Sequence, residues 1–171
     1  MIMVKRLLVL VLVVTAASAF LVFSTYEHGE SQGTTQDEAY YNERGMSYFN
    51  EGFYKLTPKG REAEASQAYE KAIAAFKEAI AINENYLDAH RNLARVYYVQ
   101  KRFSEAAQEY KWVTELAPYD IDVYVKLASA YAKLHQYSEA IEQLERAKTF
   151  TSENAVLNRL NDFIKRLEKK E

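Results

Sequence analysis

The sequence predicts an all-α solenoid of three stacked helix–turn–helix repeats, closed by a C-terminal capping helix and preceded by an N-terminal hydrophobic helix. Three observations carry this. First, a thirty-four-residue pattern recurs: Ala72, Ala106 and Ala140 align, followed by Phe76, Tyr110 and Leu144 and then by Ala79, Val113 and Ala147. Ahead of the shared alanine the last two copies hold Leu93 and Leu127, Ala94 and Ala128, Tyr97 and Tyr131. A fixed period of this kind marks units too small to bury their own apolar faces, which stack to share a core. Second, strong breakers are scarce, with five Gly and two Pro in 171 residues, while helix-favouring Ala, Glu, Lys and Leu abound. Third, no stretch alternates apolar and polar residues as a half-buried strand does.

Composition narrows the function classes. Hydrophobic residues make up 49% and charged residues 27%, which suits one folded domain with a short tail. The formal net charge is −2. Lys5 and Arg6 precede the apolar N-terminal run, so 20 of the 22 cations remain against 24 acids. An acidic remainder argues against nonspecific nucleic-acid binding, which needs a basic surface. The absence of Cys excludes disulfides, a thiolate nucleophile and a lipid-modified Cys.

Residues 1–23 read as a signal anchor or a signal peptide. The start is short and basic, and Leu7 to Phe23 carries no charge. A cleavable signal peptide fits Leu7 to Val14 followed by Ala17-Ser18-Ala19, with a cut near Ala19. An uncleaved anchor fits the whole run, whose helical length is about 25 Å, within the range that spans a bilayer. Phe20 to Phe23 favours the anchor, because cleavage would leave that apolar tetrapeptide at the new terminus. Lys5 and Arg6 hold the start in the cytoplasm and send the repeats across the membrane. Residues 24–35 are polar and rich in Gly, Ser and Thr, a flexible linker in which His28 is a tether residue.

The first repeat spans residues 36–85. Thr35 and Glu38 form a capping-box pattern for a helix over 36–50, on which Tyr41, Gly45 and Tyr48 share a stripe. Gly45 marks a close helix–helix approach. The pattern resembles the tetratricopeptide repeat, whose units carry a bulky residue, Leu, a small residue and Tyr on one helix, then Ala, an aromatic and Ala on the next, then Pro. Here these fall on Tyr41, Arg44, Gly45, Tyr48, Ala72, Phe76 and Ala79, with Glu84 in the Pro position. The second repeat, 86–119, shows His90, Leu93, Ala94, Tyr97, Ala106, Tyr110, Val113 and Pro118. The third, 120–152, shows Tyr124, Leu127, Ala128, Tyr131, Ala140, Leu144 and Ala147, with Ser152 for Pro. The resemblance implies a right-handed α-solenoid.

Tyr41 to Ala72 spans thirty-one residues where the intact copies have sixteen, so the first repeat carries an insertion at about 53–66. Thr57-Pro58 suits a helix start, which predicts a second helix from about Pro58 to Ile82, overshooting its neighbours. Phe53, Tyr54 and Leu56 would make this extension a sticky lip; otherwise it is a solvated helical extension. Further on, Asn85 or Asp88 opens a helix over 86–100, Asp120 opens 121–134, and Ser104 and Ser138 stand as N-caps. Lys101-Arg102 and His135-Gln136 form the turns within repeats. The aligned alanines predict helix crossings, with Phe76, Tyr97, Phe103, Tyr110, Tyr131 and Tyr137 as core. Residues 153–171 form the capping helix, with Val156, Leu157, Leu160, Phe163, Ile164 and Leu167 on one face.

No catalytic constellation is present. There is no Gly-rich phosphate loop, no metal spacing among His28, His90 and His135, and no nucleophile beside a base. The expectation is a non-enzyme without cofactor or metal. The resemblance implies that the first helix of each unit lines a concave groove, here at Asn42, Met46 and Phe49, at Arg91, Arg95 and Tyr98, and at Val125, Ser129 and Ala132. Arg91 and Arg95 are one turn apart and suit a carboxylate, with Tyr98 and Phe49 holding an apolar side chain beside it; alternatively they are solubilising charges paired with Asp88 and similar acids. The Lys and Asn clamp of relatives that bind chaperone C-termini is not matched by Asn42, Met46, Asp122, Val125 and Lys126. The expected function is a protein–protein scaffold in a bacterial envelope, anchored in the inner membrane through residues 7–23 with its repeats in the periplasm. A self-assembling homo-oligomer, or a soluble periplasmic or secreted ligand-binding protein released near Ala19, stands as the alternative.

Overall fold

A computed structural model describes residues 36–170, and the N-terminal expectations fall outside them. Among the described residues there are seven α-helices and no strand: α1 (Glu38–Asn50), α2 (Glu62–Ile82), α3 (Leu87–Val99), α4 (Phe103–Leu116), α5 (Ile121–Lys133), α6 (Tyr137–Lys148) and α7 (Asn154–Glu168). A π-helical turn, Glu51–Leu56, and a 3₁₀ turn, Thr57–Lys59, join α1 to α2. α1 pairs with α2, α3 with α4 and α5 with α6. Each second helix then packs on the first helix of the next unit, and α6 packs on α7. No helix among the described residues is long and apolar enough to cross a membrane.

Small residues let the helices approach. Ala72, Ala94, Ala106, Ala128 and Ala140 are wholly buried. A β-carbon on Gly45 would lie 2.5 Å from the Phe76 ring, so α1 and α2 touch where the glycine stripe predicts. Phe76, Tyr97 and Tyr110 fill the core between them, whereas Phe103, Tyr131 and Tyr137 are only half-buried.

The turns inside the repeats share one geometry. The Arg102 amide donates to the Tyr97 carbonyl (2.9 Å) and that of Gln136 to Tyr131 (3.0 Å), across Lys101 and His135 at φ of 61° and 62°. Such a left-handed residue closes a helix by a Schellman motif. The Arg61 amide repeats this on Leu56 (3.2 Å) across Gly60, at φ 68°. Leu56 is therefore the counterpart of Tyr97 and Tyr131. This corrects the expected start of the second helix near Pro58. The first arm runs from Glu38 to Leu56, against Leu87 to Tyr97 in the next repeat, and α2 has 21 residues against 14 in α4. The insertion lengthens both arms of the hairpin by about two turns each.

Several caps also differ from expectation. Asp37 caps α1, its carboxylate accepting from the Tyr40 amide at 2.9 Å, while Thr35 lies outside the described residues. Ser104 and Ser138 lie inside the first turns of α4 and α6, because the Schellman residues start those helices two positions earlier. α3 begins after Tyr86, with Asp88 in its first turn and no side-chain cap. Asp120 does cap α5, accepting from the Asp122 amide at 3.1 Å. On α7, Leu160, Ile164 and Leu167 are buried with Leu144 and Ala147 of α6.

Candidate functional site

The first helices of the repeats bring the first two groups of groove residues together. The Asn92 amide on α3 donates to the Asn42 side-chain oxygen on α1 at 3.0 Å. The Arg95 guanidinium lies over the Phe49 ring at 4.6 Å and 6.0 Å from the Phe53 ring. Phe49 and Phe53 stack with their centroids 5.4 Å apart. The π-helical turn carries Phe53, so the widened helix places a second aromatic beside Arg95. Tyr98 packs edge-on against Phe103 at 5.3 Å and keeps part of its ring exposed.

Not every residue is positioned as the sequence suggests. Arg91 pairs with Asp120 at 2.7 Å across the α4–α5 junction, so the Arg91/Arg95 pair is split. The Nε of Arg91 is buried without a hydrogen-bond partner. Phe49 is buried beneath Arg95 and supports it without presenting a ring of its own. On α5, Ser129 donates to the Val125 carbonyl of its own helix at 2.7 Å, which occupies its hydroxyl proton. Lys126 pairs with Asp122. Met46, Val125 and Ala132 are half-buried. Of the three cations on these helices, Arg91, Arg95 and Lys126, Arg95 has no acidic partner among the described residues.

Tyr110 on α4 lies within electrostatic reach of Arg95 and Arg91, which its repeat position does not announce. The thirty-four-residue period makes it a core position, in register with Phe76 and Leu144. Its ring is buried, but its hydroxyl makes no hydrogen bond among the described residues. Burial pushes the phenol up to about 12, with Arg95 and Arg91 pulling it down and Tyr98 and Asp122 pulling it up. It is a neutral donor at neutral pH.

His90 is a buried residue of α3. Its Nδ1 faces the Glu109 carboxylate at 2.7 Å and its Nε2 faces the Glu84 carbonyl at 2.9 Å. Two acceptors on one ring favour the doubly protonated imidazolium. Burial opposes that charge, but the bonds to Glu109 and Glu84 and the Glu109 charge outweigh it, and the pKa is raised. Because both nitrogens are engaged, this histidine is a strut between α3, α4 and the preceding loop. Among the described residues no group of three or more His, Cys, Asp or Glu is placed to hold a metal ion.

Comparison with known proteins places the repeats. Two family models, each described as a tetratricopeptide repeat, match residues 63–115 and 121–154. The Hsp70-Hsp90 organising protein of Plasmodium falciparum is 27% identical over 121 residues, 66% of this chain and 21% of the relative. Anaphase-promoting complex subunit 3 of Schizosaccharomyces pombe is 27% identical over 94 residues, 55% of this chain and 14% of the relative. The chain thus spans a small fraction of the length of the curated relatives it matches. Among solved structures, the first repeat domain of Spaghetti (RPAP3), bound to the HSP90 peptide SRMEEVD, superposes with a TM-score of 0.54 at 16% identity, covering 75% of this chain and 93% of that one. The TPR2B domain of yeast Sti1, in complex with pHsp70, gives 0.55 at 18% identity, covering 75% and 98%. The OM64 repeat domain of Arabidopsis gives 0.53 at 20%, covering 77% and 99%. At these identities the likeness is one of fold. With the period, the paired helices and both family models in agreement, the chain belongs to the tetratricopeptide repeat family.

Proposed function

We propose that the chain is a non-catalytic scaffold that holds a peptide or helix of a partner protein against the first helices of its repeats. The observation that carries this is Arg95. Its guanidinium rests on Phe49, stands 6.0 Å from the Phe53 ring, and has no acidic partner among the described residues. A cation held on an aromatic floor is already oriented, so little side-chain entropy is lost when an acceptor meets it. An apolar side chain of the partner settles against Phe53 and Tyr98, and a carboxylate meets Arg95. Relatives of this fold bound to an HSP90 peptide and to pHsp70 support a protein partner. The seat here uses its own residues.

The site is carried at a cell envelope in this reading. Leu7 to Phe23 anchors the chain in a bacterial inner membrane, and Lys5 and Arg6 keep the start inside, so the repeats work in the periplasm. The test is a capture experiment on the full-length protein in its own cell. Brief cross-linking, solubilisation and purification identify the partner, with Arg95→Glu run alongside. One envelope protein recovered with wild type and lost with the variant is the expected result. A partner retained by Arg95→Glu overturns the site. Recovery of all the protein in the soluble fraction, shortened by residues 1–19, overturns the anchor.

A further inference from the structure

The outer side of the last two repeats holds a second cleft. α4 and α6 wall it, α5 floors it, and its volume is about 560 Å³, a size typical of ligand sites. Its floor residues Leu127 and Tyr131 lie on the opposite side of α5 from Val125, Ser129 and Ala132, by the 100° step of a helix. It is therefore separate from the surface that carries Arg95.

Gln143 gives this cleft a purpose. The residue lines it, is 8% exposed, and makes no hydrogen bond among the described residues. Its body is buried while its carboxamide is not among the buried unbonded atoms, so the amide end meets the open cleft and is available to a ligand. Beside it, the Tyr131 hydroxyl is also without a hydrogen bond. Thr114, as buried as Gln143, gives its proton to the Lys111 carbonyl and keeps its acceptor lone pairs. A carboxamide carries one donor edge and one acceptor edge and so matches a peptide unit. The matching segment must be extended, because a helix has already committed its main-chain groups to itself. The wall charges select its side chain. Glu115, Glu139 and Glu142 outnumber Lys111 and Arg146, and none of the five forms an ion pair among the described residues.

We propose that this cleft is a second binding site, taking a short extended polypeptide segment whose main-chain amide pairs with the Gln143 carboxamide and whose lysine or arginine side chain meets the three glutamates. It does not depend on the groove. The test uses the full chain and fluorescent pentapeptides, acetylated and amidated, with Lys, Ala or Glu at the centre of a Gly/Ala frame. Anisotropy titration is expected to rank Lys above Ala above Glu. Gln143→Leu weakens the Lys peptide by about tenfold, as does N-methylation of its central amide. Glu142→Lys, an exposed change that leaves the core intact, reverses the ranking. Arg95→Glu leaves all three unchanged. Equal or absent binding of the Lys and Glu peptides, indifference to both Gln143→Leu and Glu142→Lys, or loss of binding in Arg95→Glu overturns the proposal.

Discussion

Lys101 and His135 hold a left-handed backbone, with φ near 61° and 62°, that glycine adopts without strain. His135 recovers something through its Nδ1, which lies 2.8 Å from the Tyr137 hydroxyl. Lys101 has no side-chain bond of this kind among the described residues. Lys101→Gly should therefore raise stability by about 0.5–1 kcal/mol, less what glycine adds to the freedom of the unfolded chain. Urea denaturation measures it, and a lowered midpoint would mean the turn is not strained. Gly45 is the reverse case. Its missing β-carbon would sit 2.5 Å from Phe76, so Gly45→Ala should lower stability by about 1–3 kcal/mol in the same assay. The glycine was legible because it lay on an apolar stripe at helical spacing. The strained turns were not, since lysine and histidine give no local sign of a positive φ. Nor was the fate of Arg91, whose partner Asp120, the N-cap of α5, is distant in sequence and brought to it by the fold.

Helix pairs follow from the period, and their ends follow from local hydrogen bonds that a period does not encode. The alanine register gave α4 and α6 but placed their starts two residues late, at the serines. In the first repeat the register was right at Ala79 and silent about how the extra residues divide, because two lengthened arms and one overshooting helix keep the same spacing. Only the match between Leu56, Tyr97 and Tyr131 as closing carbonyls decides it. His90 acts at this scale, joining α3 to α4 through Glu109 and to the preceding loop through Glu84. Its folded pKa is raised above the ordinary 6.5. The stability it contributes is thus fully present below pH 6.5 and is lost as pH rises through the raised folded value. Wild type should lose thermal stability as pH rises from 6.5 through that raised value, and Glu109→Gln, which removes the carboxylate, should show a shallower loss. Parallel pH profiles for the two proteins would exclude His90 as the source.

Across the molecule each repeat leans on the next, and such a stack stays soluble only if its last apolar face is covered. α7 does this through Leu160, Ile164 and Leu167 against Leu144 and Ala147. The apolar face of this helix was legible from its helical spacing: Leu160, Ile164 and Leu167 are buried, with Val156 and Phe163 packed beside them. Each buried Leu or Ile is worth roughly 1.5–3 kcal/mol, so the cap contributes a large share of the stability of a small domain. Coupling between neighbours spreads the loss beyond the third repeat. Deleting residues 154–171 should expose Leu144 and Ala147, lower the melting temperature and broaden the transition as the third repeat frays before the others. Size-exclusion chromatography should show the truncated protein associating, and replacing Leu144 by a polar residue in the truncated chain should return it to a single species without restoring its stability. A truncated protein that stays monomeric and melts in one sharp step would mean that α6 closes the stack by itself and that α7 serves another partner.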